Sequence, residues 1–294
     1  MKKNIFTGAA TALITPFKNG AIDYDAFERI LEQQINGGIG ALVVAGTTGE
    51  SSTLTDSEHR EIISFAIKKV AGRVPVIAGT GSNDTDYAID LSKFAADEGA
   101  DAVLLVTPYY NKATQNGLYE HFKAIAQSCK IPCILYNVPS RTGCNILPAT
   151  AYRLSQIDNI AAIKEASGDI SQIAELAHLC ADTLDIYSGN DNQILPILSL
   201  GGKGVISVLS NIMPAQTNEI CRRFFAGDLK GSLALQLEYL PLMSALFSEV
   251  NPIPVKAAMA KMGMCENTLR LPLTPMDETK AEVLYKLMAE QKLI

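Results

Sequence analysis

The chain of 294 residues is poor in the side chains that metal, disulfide and nucleic-acid chemistry depend on. It has three histidines, His59, His121 and His178, each isolated in a helical stretch, and their spacing offers no metal site. Six cysteines, at 129, 133, 144, 180, 221 and 265, form no CxxC pair. Several sit in apolar runs, where a reduced cysteine behaves as a small hydrophobe, so they read as buried free thiols of a reducing compartment. A basic surplus is missing as well: 25 Lys and Arg against 31 Asp and Glu leave a net charge of −6. That balance excludes nucleic acid as a partner, since phosphate binding needs a basic surface. No stretch approaches the roughly 20 apolar residues of a membrane span. The opening segment, Met1 to Ala12, has the two lysines and small-x-small pattern of a signal peptide. Its apolar part is too short and is broken by Thr7 and Gly8. The expectation is a cytoplasmic protein whose first residues belong to the fold.

What the chain does have is a sizeable apolar content, 48% against 19% charged, which excludes disorder and suits a globular core. Eight apolar runs recur, at 9 to 15, 41 to 45, 74 to 79, 102 to 107, 133 to 138, 160 to 165, 184 to 188 and 204 to 209. Each ends in glycine, proline or hydroxyl-rich turn chemistry, and helical patterns lie between them. Asp25 to Ile35 places Phe27, Ile30, Leu31 and Ile35 at helical spacing, and Thr55 with Glu58 forms a capping box ahead of Ile62, Ile63, Phe65 and Ala66. Eight strand-then-helix units over about 220 residues predict a (βα)8 TIM barrel, an α/β fold whose strands are covered on both faces; an open doubly wound sheet is the alternative. Beyond residue 225 only helical periodicity continues, with Pro241, Pro252 and Pro254 as breaks. The expected organisation is a barrel over 1–225 and a helical appendage over 226–294. No low-complexity linker separates them, so they are expected to pack together.

Lys164 stands in the sixth run, Ile160-Ala-Ala-Ile-Lys-Glu-Ala166. Lysine rarely occupies such a strand unless it is paired or working. Burial disfavours an ammonium and frees the amine as a nucleophile, the usual preparation for a Schiff base with a carbonyl substrate. Strand alternation puts Ala162 and Ala166 on the face of Lys164, leaving room for a ligand, and sends Ile163 and Glu165 to the other face.

In a (βα)8 barrel the chemistry lies where strands run into the following loops. Run two ends in Ala45-Gly-Thr-Thr-Gly-Glu-Ser51, which either cradles a carboxylate with its amides and hydroxyls or simply caps the next helix. Run four ends in Thr107-Pro-Tyr-Tyr-Asn111, whose tyrosines can cover a site, bury themselves at an oligomer interface, or do both. Run five contains Tyr136, at even spacing from Ile134 and Val138 and so facing inward, beside the strand of Lys164, where it is a candidate proton relay. Arg141 follows on the loop, where a guanidinium can grip a carboxylate. Gly189-Asn-Asp191 and Ser210-Asn211 follow runs seven and eight and either line the pocket or cap helices. Gly201-Gly-Lys-Gly204 looks like a phosphate loop but precedes run eight, at the wrong end of the barrel.

The segments Gly-Thr-Thr-Gly-Glu, Tyr-Tyr-Asn, Tyr-Asn-Val-Pro-Ser-Arg-Thr-Gly and Ile-Lys-Glu-Ala-Ser-Gly together resemble the dihydrodipicolinate synthase family, within the Schiff-base aldolase superfamily of N-acetylneuraminate lyase. The resemblance runs end to end, including Gly-Gly-Lys-Gly-Val-Ile-Ser-Val at 201 to 208 and Asn-Pro-Ile-Pro-Val-Lys at 251 to 256. It implies a condensation of pyruvate with aspartate semialdehyde to 4-hydroxy-tetrahydrodipicolinate, on the diaminopimelate route to lysine, without metal or organic cofactor. It implies Lys164 as the Schiff-base lysine and Tyr136 as general acid/base. Thr47 and Tyr110 complete a hydroxyl relay, Tyr110 coming from a neighbouring subunit of a homotetramer built from two tight dimers. Thr48, Ile206 and Gly189 fall to substrate binding, and Arg141 to the semialdehyde carboxylate. Ser51, His59, Asn83 and Tyr109 match a lysine-inhibition cleft, but Asp56 and Tyr87 stand where lysine-sensitive relatives carry histidine and glutamate. The rivals are a sibling keto-acid aldolase or lyase of N-acetylneuraminate or keto-sugar-acid type, disfavoured by Arg141, and a non-catalytic ligand-binding barrel, which has no physical need of a buried amine.

Overall fold

The computed structural model describes residues 4–294. Eight parallel strands close into a barrel in which each strand pairs with its neighbours in sequence and the last returns to the first. They are β1 (Gly8–Ala12), β2 (Ala41–Val44), β3 (Val76–Gly79), β4 (Ala102–Val106), β5 (Cys133–Asn137), β6 (Ile160–Glu165), β7 (Asp185–Ser188) and β8 (Gly204–Ser207). Each begins within two residues of its apolar run, and the open-sheet alternative falls away. The runs are legible because a parallel barrel strand is covered on both faces, by side chains within and helices without. Inside lie Ala10, Val43, Ile77, Ile134, Tyr136, Ala162, Ala166 and Ile206, while Leu135 and Ile163 pack outward under the helices. The expected division of faces around Lys164 is therefore the one observed.

The N-terminal end of the barrel is plugged by Phe6, whose ring stacks on Tyr187 at 4.1 Å, with the Tyr187 hydroxyl donating to the Phe6 carbonyl at 2.7 Å. The expectation that the first residues belong to the fold holds from here; residues 1–3 lie outside the described part. Gly204 opens β8 beside Gly8 of β1, so the glycine cluster at 201 to 204 does lie at the end opposite the loops.

Two local features differ from the sequence reading. Phe17–Lys18 and Ala21–Ile22 form a small antiparallel hairpin. Its turn is Asn19-Gly20, both with positive φ, the geometry that Asn-Gly supplies most readily. Arg141 lies not on an open loop but in a single helical turn, Pro139–Thr142, with proline at its start and Gly143 in the left-handed conformation at its end. The capping box at Thr55 and Glu58 is present and starts the helix Asp56–Val70.

After the barrel helix Pro214–Phe225 come four helices, Leu229–Glu238, Leu240–Ala245, Ile253–Lys261 and Glu278–Glu290. Pro241, Pro252 and Pro254 stand at helix starts, where a missing N–H costs nothing. All six cysteines are free. No helix among the described residues is long and apolar enough to cross a membrane, and no three His, Cys, Asp or Glu side chains among them converge as metal ligands.

Candidate active site

Tyr136 on β5 and Lys164 on β6 are direct register partners, which sets their side chains next to each other in the barrel. The Lys164 Nζ lies 4.3 Å from the centre of the Tyr136 ring, and each residue is only 6% exposed. Both face a cavity of about 490 Å³ that is also lined by Thr48, Arg141, Ala166 and Gly189. Gly189 is required by closeness: a Cβ there would stand 2.6 Å from that of Ala166 and 3.2 Å from Lys164 Cε. Only a residue without a side chain lets the lysine stem pass. Ile206 is fully buried in the interior cluster with Tyr136 and Ala162.

The turn after β2 supplies one wall. Its own amides are largely committed: Gly49 donates to Gly46 O, Glu50 to Thr47 O and Ser51 to Gly46 O. The amides of Thr47 and Thr48 make no hydrogen bond within the described residues, which leaves them free for an anionic ligand. Thr15 Oγ1 donates to Gly49 O at 2.6 Å and fixes the turn from the segment that follows β1. A Cβ at Gly49 would meet Ala45 Cα and Leu13 O, each at 3.2 Å, so tight folding of the turn also needs glycine here.

Arg141 and Val138 belong at once to this cavity and to a second one of about 390 Å³, which Thr47, Ser51, His59, Tyr87 and Tyr109 line. Thr47 and Thr48, adjacent in sequence, thus face different cavities. His59 Nε2 pairs with Gly79 O at 2.8 Å, and burial holds its pKa below the ordinary imidazole value. Asn83 donates to Tyr109 O at 3.1 Å. The Tyr87 hydroxyl donates to Asp56 at 3.0 Å, and burial first, then this bond, raises its pKa to about 12. Tyr110 stands apart from both cavities, 92% exposed and at φ 73, a rare conformation for a bulky side chain.

Of the two segments that follow β7 and β8, the first lines the pocket through Gly189 and Asn190. The second is structural: Asn211 donates to Ala12 O and Val208 O and accepts from Ile14 N. Asp191 is buried, and its carboxylate accepts from the amides of Val208 and Leu209 while burial raises its pKa. The sequence reading gave no role to Phe247, Glu249, Val250 or Asn251, which roof the cavity from the helical tail. Asn251 belongs to the Asn-Pro-Ile-Pro-Val-Lys segment, so its position was visible but its contact was not. It donates from Nδ2 to Thr48 Oγ1 at 2.9 Å, and its carbonyl accepts from Arg141 at 3.1 Å.

Comparison with known proteins bears on this geometry. A model of the dihydrodipicolinate synthetase family matches residues 5–291. A 4-hydroxy-tetrahydrodipicolinate synthase of Lachnoclostridium phytofermentans is 60% identical over 99% of both chains. A crystal structure of dihydrodipicolinate synthase from Thermotoga maritima superposes with a TM-score of 0.96 at 45% identity, covering 99% of this chain and 100% of that one. The chloride-inhibited dihydrodipicolinate synthase from Acinetobacter baumannii, solved in complex with pyruvate, gives a TM-score of 0.96 at 43% identity over 99% of this chain and 100% of its own. An inward lysine beside an inward tyrosine, set in a (βα)8 barrel matched from end to end, places the chain in the dihydrodipicolinate synthetase family.

Proposed function

We propose that the chain is a lyase that condenses pyruvate with L-aspartate 4-semialdehyde to 4-hydroxy-tetrahydrodipicolinate through a Lys164 Schiff base, in the diaminopimelate route to lysine. The observation that carries this is the register pairing of Tyr136 with Lys164 inside a cavity that also presents Thr48, Arg141 and Gly189. The shared name of the relatives and the pyruvate bound by one structural neighbour support the substrates. In this reading the described residues up to 225 form the catalytic barrel and residues 226–294 the helical domain of a cytoplasmic enzyme.

In this reading the Lys164 amine adds to the pyruvate ketone and water leaves, giving an iminium. Its positive charge acidifies the methyl group, and loss of one proton gives the enamine nucleophile. The enamine carbon attacks the aldehyde carbon of the second substrate, and that substrate's amine then closes the ring and displaces Lys164. Thr48 and the free amides of its turn hold the pyruvate carboxylate, with the Ile206 backbone beside them. Arg141 receives the semialdehyde carboxylate at the mouth, converting an encounter into a near-attack arrangement. Tyr136, Thr47 and the partner subunit's Tyr110 pass protons along a hydroxyl chain without admitting bulk water. The solvent-exposed Tyr110 and the leucine ridge Leu229, Leu233 and Leu237, which repeats every fourth residue on one helix face, support two interfaces and so a homotetramer. A turnover assay decides: consumption of pyruvate with aspartate semialdehyde is expected, and cleavage of N-acetylneuraminate or keto-sugar acids in its place would move the chain to a sibling aldolase.

The second cavity bears on regulation. Ser51, His59 and Tyr109 line it and Asn83 holds the Tyr109 carbonyl from outside, but Tyr87 offers a neutral hydroxyl where a carboxylate would hold the ammonium of lysine. Asp56 is itself engaged by Arg60 at 2.9 Å and by Tyr87. Lysine is therefore expected to inhibit weakly or not at all, and sub-millimolar inhibition in an activity titration would refute this.

A further inference from the structure

Lys256 is fully buried, 0% exposed, in the helix Ile253–Lys261, and its Nζ pairs with Glu50 Oε1. Glu50 is 206 residues away in sequence and ends the Thr47-Thr48-Gly49 turn in the left-handed conformation, at φ 54. A non-glycine residue stays there only when its surroundings hold it. The second Glu50 oxygen accepts from the Arg270 amide at 3.0 Å, so the carboxylate is gripped from two points of the helical tail. Neither Lys256 nor Glu50 lines the cavity around Lys164. The same tail segment supplies Asn251, whose N–H occupies a lone pair of Thr48 Oγ1. With that lone pair taken, the Thr48 hydroxyl is set to act as a donor toward the cavity.

Resting on the assignment of Thr48 to the pyruvate carboxylate, we infer that the segment Asn251–Lys256 is a positioning device for the carboxylate turn. Lys256 and Glu50 hold the turn's backbone so that the Thr47 and Thr48 amides face the ligand, and Asn251 aims the Thr48 hydroxyl. Buried ion pairs are weak sources of stability, and an apolar pair of similar volume often replaces them at no net cost. What such a replacement loses is direction: two apolar side chains do not fix the rotation of a turn. The effect falls on pyruvate capture, because Arg141, which receives the semialdehyde, touches this segment only through the backbone carbonyl of Asn251, a bond that a change of the Glu50, Lys256 or Asn251 side chain leaves in place.

The test uses the full chain carrying Glu50→Leu with Lys256→Met, which leaves no unpaired charge, and separately Asn251→Ala. Thermal midpoint and KM for each substrate are measured. The double variant is expected to keep a midpoint near that of the parent and to raise the pyruvate KM on the order of ten-fold. The semialdehyde KM stays within about two-fold, since the bond from Arg141 to the Asn251 carbonyl, which sets that substrate's partner, is kept. Asn251→Ala is expected to raise the pyruvate KM in the same sense. A parental pyruvate KM in the double variant, or an equal rise for both substrates accompanied by a lower midpoint, assigns the pair a structural role and overturns the inference. Should the double variant not fold, Lys256→Arg decides, because it keeps the charge and changes the reach; a parental pyruvate KM there overturns the inference as well. Thr48→Val is the control for the assignment beneath: an unchanged pyruvate KM in that variant shows that Thr48 does not hold the carboxylate.

Discussion

At the residue scale, Lys164 depends on neighbours with almost no slack. Gly189→Ala would drive a methyl to within 2.6 Å of Ala166 Cβ and 3.2 Å of Lys164 Cε, so the lysine stem or the strand must move. The expected result is a destabilisation of about 1–3 kcal/mol, as for other overpacked core sites. A fall in kcat accompanies it, and thermal melts with steady-state kinetics check both. Tyr136→Phe keeps the ring against Lys164 and removes only the hydroxyl. It is expected to lower kcat by about 10²–10⁴-fold with little change in melting temperature, the range for loss of a positioned acid/base group. Lys164 and Tyr136 were legible in the sequence because period-two alternation and strand order fix which way a barrel side chain points. Asn251 and Lys256 were not, since their partners Thr48 and Glu50 lie 203 and 206 residues away and no local pattern announces such a pairing.

At the scale of elements, the helical tail is fastened to the barrel by charge as well as by apolar contact. Arg270 binds both oxygens of Glu58, at 2.7 and 2.5 Å, and also the carbonyls of Thr53 and Gly20. Its guanidinium, helped by the Thr55 amide, lowers the Glu58 pKa from 4.5 to about 2. A carboxyl depressed on folding adds stability that is complete above its unfolded value and is lost as pH falls. The loss should therefore run from about pH 4.5 down through about pH 2. Glu58 keeps 22% side-chain exposure, so solvent screening reduces the pair's worth to about 1 kcal/mol. Arg270→Ala is expected to lower the melting temperature at pH 7, with the difference shrinking as pH approaches 2; a constant difference would contradict this origin. The eight strands and the capped helix Asp56–Val70 could be read from pattern, because burial on both faces and a capping box leave marks within a few residues. The turn Pro139–Thr142 is too short for helical periodicity to show. The hairpin at Phe17 carried an Asn-Gly signal, but its strands of two residues leave no alternation to read.

For the whole molecule, the barrel end holding Lys164 is closed by two things the barrel does not provide: the tail residues Phe247 to Asn251 and, in the proposed assembly, the partner subunit's Tyr110. Tyr110 is held at positive φ with its ring in solvent, a strained placement that costs about 1–3 kcal/mol and suits insertion into another surface. Activity is accordingly expected to fall together with dimer content in a dilution series followed by light scattering and turnover. Tyr110→Phe is expected to lower kcat while leaving the assembly intact. A fully active monomer would refute the shared relay. The barrel itself was legible as a count of apolar runs, but the closure of its site by distant chain was not, since both contributions come from outside the strand pattern.

The account stands on Lys164 as the nucleophile, and borohydride reduction in the presence of pyruvate, followed by peptide mass spectrometry, tests it most directly. A pyruvyl adduct on the peptide containing Lys164, absent without pyruvate and absent in Lys164→Met, is the expected result. No adduct, or an adduct on another lysine, would contradict the account.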